Sequence, residues 1–238
     1  MHVLKPLPGA GTPMALSLFH LDGSLHLIAA YENGAAVVLR ANLAAGEWVT
    51  LYKHQAHSQP VLSFDISPCR SYFITSSADA IIAKHPIPRE PSGGDEKADA
   101  AQMLYPVSTP LKSVSTKHAG QQSLRIRSDG AIFATGGWDS KVRVYSAKSL
   151  KEVAVLKWHQ SGCCSVAFAA VDPPPAIIQE KEAEGVSDPP GESGAVARTE
   201  SGAPAYYDVK HKRVQHAKAA HWVAAGSKDG KVSLWDIY

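Results

Sequence analysis

Eleven histidines, three cysteines and a series of regularly placed aspartates are the residues of this chain best suited to chemistry. His54 and His57, or His211, His216 and His221, carry the side chains of metal ligands. Their spacings match no zinc pattern, and Cys163-Cys164 lacks the two-residue gap of a CxxC motif. No metal and no other cofactor is therefore expected. Asp79, Asp139 and Asp229 each stand in a short turn signal within reach of hydroxyl and imidazole side chains in sequence. Hydroxyl, imidazole and carboxylate are the ingredients of a nucleophilic triad. A catalytic site is normally single, whereas these aspartates recur, so the elements that carry them decide what they are for.

The best-formed carrier is Lys117–Tyr145, KHAGQQSLRIRSDGAIFATGGWDSKVRVY. An alternating segment with Leu124 and Ile126 leads to a turn at Ser128-Asp129-Gly130. A small-residue strand over Ile132–Gly137 follows, then a tight turn at Trp138-Asp139 and a second alternating strand with Val142 and Val144. Period-two alternation bounded by Asp-Gly and Gly-Gly signals reads as an antiparallel meander. The template returns in His221–Tyr238 (HWVAAGSKDGKVSLWDIY), in His57–His85 and, more weakly, in Leu16–Arg40, with turns at Asn33, Asp79, Asp139 and Asp229. Six positions after the turn residue stand His85, Tyr145 and Trp235.

At 238 residues, 45% hydrophobic and 19% charged, the chain can build a substantial core. A net charge of +2 gives no electrostatic case for nucleic-acid binding. Three cysteines cannot all pair, which suits a reducing compartment. No apolar run approaches the roughly 20 residues of a membrane span. The first ten residues are too short and too Pro-rich for a signal peptide.

These repeated stretches together resemble the WD40-repeat family. The resemblance implies an all-β propeller with about four blades present, an incomplete ring of the about seven that WD40 proteins close. Blades are expected at about 13–53, 54–117, 118–158 and 159–238, after an irregular lead-in over 1–12. An inserted solvated loop is expected over 86–111 and a disordered insertion over 171–220. The chain then corresponds to the C-terminal part of a propeller. It is expected to expose unpaired strand edges and, alone, to be unstable or to self-associate. In the family, a His before the first strand, a Ser or Thr in the second, the turn Asp and a third-strand Trp form a structural hydrogen-bonded set. Carried over, the second copy offers His57, Thr75 and Asp79, with His85 unsuited to the Trp role. The third offers His118, Thr135 and Asp139 with Tyr145 for Trp, and the fourth His159, Ser227, Asp229 and Trp235. The first copy has neither His nor Trp. Repetition makes these sets scaffolding rather than catalytic sites, and no enzyme activity is expected.

KHPIP (Lys84–Pro88) and KHAGQQ (Lys117–Gln122) are demanded by no repeat consensus. Through them the chain is similar to a fungal branch of the family, the WD40 subunits of the ASTRA complex. That similarity implies a non-catalytic nuclear scaffold, present also in the cytoplasm or not. It would be linked to chromatin remodelling and to maturation of phosphatidylinositol-3-kinase-related kinases. The partners would be other ASTRA-complex subunits, with no membrane, direct nucleic acid or small-molecule substrate. A G-protein β-like subunit and a histone- or phosphopeptide-reading module are the alternatives. The first would need an N-terminal coiled-coil helix, and the second an acidic or Arg-lined central pocket. Trp138, in a turn usually built of small or polar residues, is the candidate partner contact, with Arg125 and Arg143 sharing its surface.

Overall fold

The computed structural model describes residues 4, 7–89, 106–170 and 220–237. Among them there is no helix. Strands form four antiparallel sheets in chain order. The first holds β1 (Pro13–Leu21), β2 (Ser24–Tyr31), β3 (Ala35–Asn42) and β4 (Glu47–Gln55). The second holds β5 (Val61–Ile66), β6 (Tyr72–Ser77), β7 (Ile81–Pro86) and β8 (Lys112–Ser115). The third holds β9 (Gln121–Ile126), β10 (Ile132–Gly137), β11 (Lys141–Ser146) and β12 (Glu152–Lys157). The fourth holds β13 (Cys163–Phe168), β14 (Trp222–Ser227) and β15 (Val232–Asp236). All four sheets lie in one compact unit, residues 1–170 and 222–237. Of the second unit's residues 171–221, only Ala220 and His221 are described, so the disorder expected for 171–220 falls outside the described residues.

Each sheet is a meander because short turns join strands of matched length. The register repeats as well: Val61 pairs with Ser77, Gln121 with Gly137 and Cys163 with Ser227, each next to a β-bulge. Both faces of such a sheet carry apolar residues, so the cores lie between sheets. Val38 and Tyr52 meet Phe64 and Phe73 between the first and second sheets. Ile74 and Ile82 meet Leu124 and Phe133 between the second and third. Val142 and Val144 meet Val166 and Val223 between the third and fourth. This is the packing of successive propeller blades.

The strands innermost in each sheet touch in sequence, β1 to β5, β5 to β9 and β9 to β13. A repeated side-chain stitch joins them. Leu124 N donates to Ser63 Oγ at 3.1 Å, and Val166 N donates to Ser123 Oγ at 3.1 Å, from equivalent positions of successive sheets. Asp65 adds a second link by accepting from Ile126 N at 2.8 Å. Burial raises its carboxyl pKa, against the lowering effect of the Ile126 and Ile66 amides and of Arg125. In the first sheet Ala15 holds the serine's position and packs on the apolar core instead.

One expectation needs correction: within the partly exposed flanks of the 86–111 insertion, Ile87 and Val107 are not left to solvent. Ile87 is buried, and Val107 extends the edge of β4, donating to Leu51 O at 2.9 Å and accepting from Lys53 N at 3.0 Å. Both ends are drawn into the core between the first two sheets because apolar side chains and strand-edge amides there need cover. Leu150 sits before β12 in a left-handed turn (φ 57°) with its side chain buried.

The stitch gives the first testable expectation. Ser123→Ala strands the buried Val166 N–H, so urea denaturation should show a loss of about 1–3 kcal/mol. A loss within error would remove the stitch from the account of how sheets are joined.

Candidate functional site

The four turn residues share one local task. The Oδ1 of Asn33, Asp79, Asp139 and Asp229 accepts the N–H two residues on, from Ala35, Ile81, Lys141 and Lys231, at 2.9–3.4 Å. This Asx cap is what an Asn or Asp in a tight turn supplies. Beyond the cap, the sheets diverge.

In the second sheet the expected set is assembled. His57 Nδ1 meets Asp79 Oδ1 at 3.1 Å and His57 Nε2 meets Thr75 Oγ1 at 2.7 Å. Ser58 N also donates to Asp79. His85, which sequence reasoning set aside, does complete this set: its Nε2 lies 2.9 Å from Thr75 Oγ1 and its Nδ1 lies 2.7 Å from the Tyr52 hydroxyl. The ring stacks on Phe73 at 4.7 Å, so a flat polar aromatic with a ring N–H serves where Trp is usual. Burial acts to raise the Asp79 carboxyl, but hydrogen bonds from His57, Ile81 and Ser58 outweigh it and hold it below 3.8.

The third sheet does not assemble the expected set. No hydrogen bond joins His118 to Thr135 or Asp139 among the described residues; its own N–H and C=O bond to Thr116. The register explains this. His57 and His159 stand four residues before Val61 and Cys163, and the matching position before Gln121 is Lys117, one short of His118. Arg143 takes the vacated role. It donates to both Asp139 oxygens, at 3.0 and 2.6 Å, and its Nε lies 3.3 Å from Glu152. Gly137 leaves room, since a Cβ there would stand 2.5 Å from Asp139 Oδ1. Arg143 chiefly holds the Asp139 carboxyl below its ordinary 3.8. Tyr145 stacks on Phe133, and burial pushes its phenol up to about 12. Thr135 is buried between these groups' strands.

In the fourth sheet the hydroxyl comes from Ser233, not Ser227. His159 Nε2 lies 2.8 Å from Ser233 Oγ, and Trp235 Nε1 donates to the same oxygen at 2.9 Å. Ser227 instead donates to Ser161 O, as Ser77 does to Gln59 O and Pro60 O. The position equivalent to Thr75 and Thr135 is Ala225, so a hydroxyl has moved to the neighbouring strand. Asp229 pairs with Lys231 at 3.4 Å and stays outside the set. Position four after the turn is thus Val37, Ala83, Arg143 or Ser233, and its identity decides which set forms. In the first sheet Asn33 Nδ2 donates to Gly9 O at 3.0 Å and Gln55 Nε2 donates to Asn33 O at 2.7 Å.

Among the described residues, His57, Thr75, His85, Asp79, Asp139 and Ser233 are each engaged by neighbouring side chains or backbone, whereas the Tyr145 hydroxyl and His159 Nδ1 are buried without a hydrogen-bond partner. None presents a free nucleophile beside a base. Among the described residues no group of three or more His, Cys, Asp or Glu is placed to hold a metal. His211 and His216 lie outside them.

The exposed candidate behaves differently. Trp138 is 48% exposed at the β10–β11 turn. Its Nε1 donates to Gln122 Oε1 at 2.8 Å and its ring lies on Gly120, where a Cβ would come within 2.1 Å of it. Gly120 has φ +70°, so both the contact and the backbone favour glycine. The indole is therefore displayed and fixed. Arg143 does not share its surface: only 2% exposed, the guanidinium is drawn inward by Asp139 and Glu152. Arg125 is exposed but lines a cleft of about 570 Å³ with Leu16, Ser17, Ser63 and Asp65, between innermost strands.

The WD domain, G-beta repeat pattern matches residues 48–83, 109–146 and 212–236. The first two matches each start at the outer strand of one sheet and end in the third strand of the next. These three stretches carry WD40 repeats. The chain is also similar along its whole length to proteins named ASTRA-associated protein 1. That of Verticillium alfalfae is 49% identical over 237 residues, covering 100% of this chain and 53% of the relative. That of Pyricularia oryzae is 40% identical and covers 100% of this chain and 63% of the relative. The Schizosaccharomyces pombe protein is 37% identical over 66% of this chain and 42% of its own length. The chain thus spans about half to two-thirds of the first two relatives.

Because Asp79 and Asp139 have lowered pKa values when folded, their stabilisation is complete above about 3.8 and is lost as pH falls through the folded values. Ser233→Ala leaves His159 and Trp235 short of a partner and should cost about 1–3 kcal/mol in urea denaturation. An unchanged midpoint would return the role to Ser227.

Proposed function

We propose that the chain is a non-catalytic scaffold of the ASTRA assembly and that Trp138 is a principal contact to another subunit. The observation that carries this is the contrast between the sets and Trp138. The His, Ser, Thr and Asp groups that could do chemistry bond to one another and to the backbone. The large indole is held in place yet open to solvent. A rigid aromatic with a satisfied N–H loses little entropy on docking, which is why Trp dominates binding hot spots. The names of the relatives supply the assembly. On this reading the chain works in the nucleus, where it serves chromatin remodelling and the maturation of phosphatidylinositol-3-kinase-related kinases. It does so by presenting blade rims to protein partners.

The test is affinity purification of the tagged protein from its own cells, wild type beside Trp138→Ala, with quantitative mass spectrometry and a melting curve for each. Wild type should recover remodelling ATPases and kinase-maturation factors. The alanine variant should lose them by the equivalent of about 2 kcal/mol at unchanged melting temperature. Equal recovery by both would remove Trp138 as a contact. Recovery of a Gα partner or of histones alone would replace the ASTRA reading.

A further inference from the structure

Between the first and second sheets one hydrogen bond joins two wholly buried side chains, Tyr52 of β4 and His85 of β7. It continues through Thr75 and His57 to Asp79, with steps of 2.7, 2.9, 2.7 and 3.1 Å. The proton positions along it are constrained. Tyr52 has one O–H, and its one side-chain partner among the described residues is His85 Nδ1, so Tyr52 donates and Nδ1 accepts. The hydrogen on the ring is then on Nε2, which donates to Thr75 Oγ1. Thr75 can give its own proton to His57 Nε2 or to Ala83 O at 3.4 Å. His57 Nδ1–H donates to Asp79. In this pattern His85 is neutral, and a proton on its Nδ1 would face the Tyr52 oxygen and leave the tyrosine hydrogen without an acceptor in a site closed to water.

We infer that Tyr52 and His85 form an acid-sensitive latch between the first and second sheets, closed only while the imidazole is neutral. The groups facing the ring give it no compensating anion. They are Tyr52 and His54 from β4, His57 from the segment before β5, and Phe73 and Thr75 from β6. Among the described residues the carboxylate of this network, Asp79, reaches the ring only through His57 and is engaged there and with Ser58 N and Ile81 N. Burial, followed by the charges of His57 and His54, holds the His85 imidazole well below 6.5. The sign follows. The opened joint takes up a proton that the closed joint refuses, so closure weakens as pH falls below about 6.5, by up to tenfold per pH unit. Neither the stacked Phe133–Tyr145 pair nor the Arg143–Asp139 pair of the third sheet contains a histidine, so that sheet has no such response built into it.

Two measurements on the full chain test this. Long-range proton–nitrogen NMR of ¹⁵N-histidine-labelled protein should show His85 as the Nε2–H tautomer, still neutral at pH 5.5. Hydrogen exchange at pH 7.5 and 5.5, corrected for intrinsic rates, should show opening of β4 and β7 rising about tenfold, with β10 and β11 changing far less. In His85→Phe, which keeps the stack on Phe73, that rise should disappear. The Nδ1–H tautomer, titration of His85 near 6.5, or equal acid loosening of all strands would overturn the latch. Should the Phe variant fail to fold, the tautomer and titration of the wild-type protein decide alone.

Discussion

A polar side chain closed between two sheets must find its partners there, because unpaired burial costs a few kcal/mol per group. That constraint governs each seam of this protein. The sheets cannot bury their faces singly, so their cores lie between neighbours, and His57, Thr75, His85, Thr135 and His159 are buried with them while the turn acids Asp139 and Asp229 stay exposed. The backbone frame recurs: the same bulge and the same Asx cap, with a serine stitch from the second sheet to the third and from the third to the fourth. The side chains that satisfy it vary. A small Ala83 lets His57 reach both Asp79 and Thr75, a long Arg143 occupies that space and pairs with Asp139, and Ser233 supplies the hydroxyl that Ala225 lacks.

Most of the fold was legible in the sequence because alternation and turn residues are local signals. The strands at Val61–Ile66 and Ile132–Gly137 stand where the pattern puts them, and β8 arrives late after its insertion. The polar sets were legible only in part. A motif carried over by residue type found His118, the visible histidine, although register places Lys117 at the working position. It found Ser227, the serine beside the turn acid, although the working oxygen is on the next strand. It read Arg143 as surface because alternation does not reveal that the turn carboxylate Asp139 pairs with a buried guanidinium. Counting back from the residue that pairs two before each turn acid would have corrected the first two. His85 was set aside for not being Trp, when what the site requires is a flat ring with an N–H.

This substitution of parts at fixed positions bears on function. A frame whose polar sets bond largely to one another offers rigidity, and Trp138 is a large aromatic that this rigidity holds open to solvent. The first seam differs from the others in routing its hydrogen bonds through two imidazoles, His85 and His57.

The claim that position four after the turn selects the set is tested most directly by a double-mutant cycle. Asp139→Ala, Arg143→Ala and the double variant would be compared by urea denaturation. If Arg143 has replaced the histidine as the partner of the turn acid, the two substitutions should be coupled by about 1–3 kcal/mol. Additive effects would mean that Asp139 and Arg143 stabilise the sheet independently, and the exchange of partners between sheets would then be a coincidence of geometry.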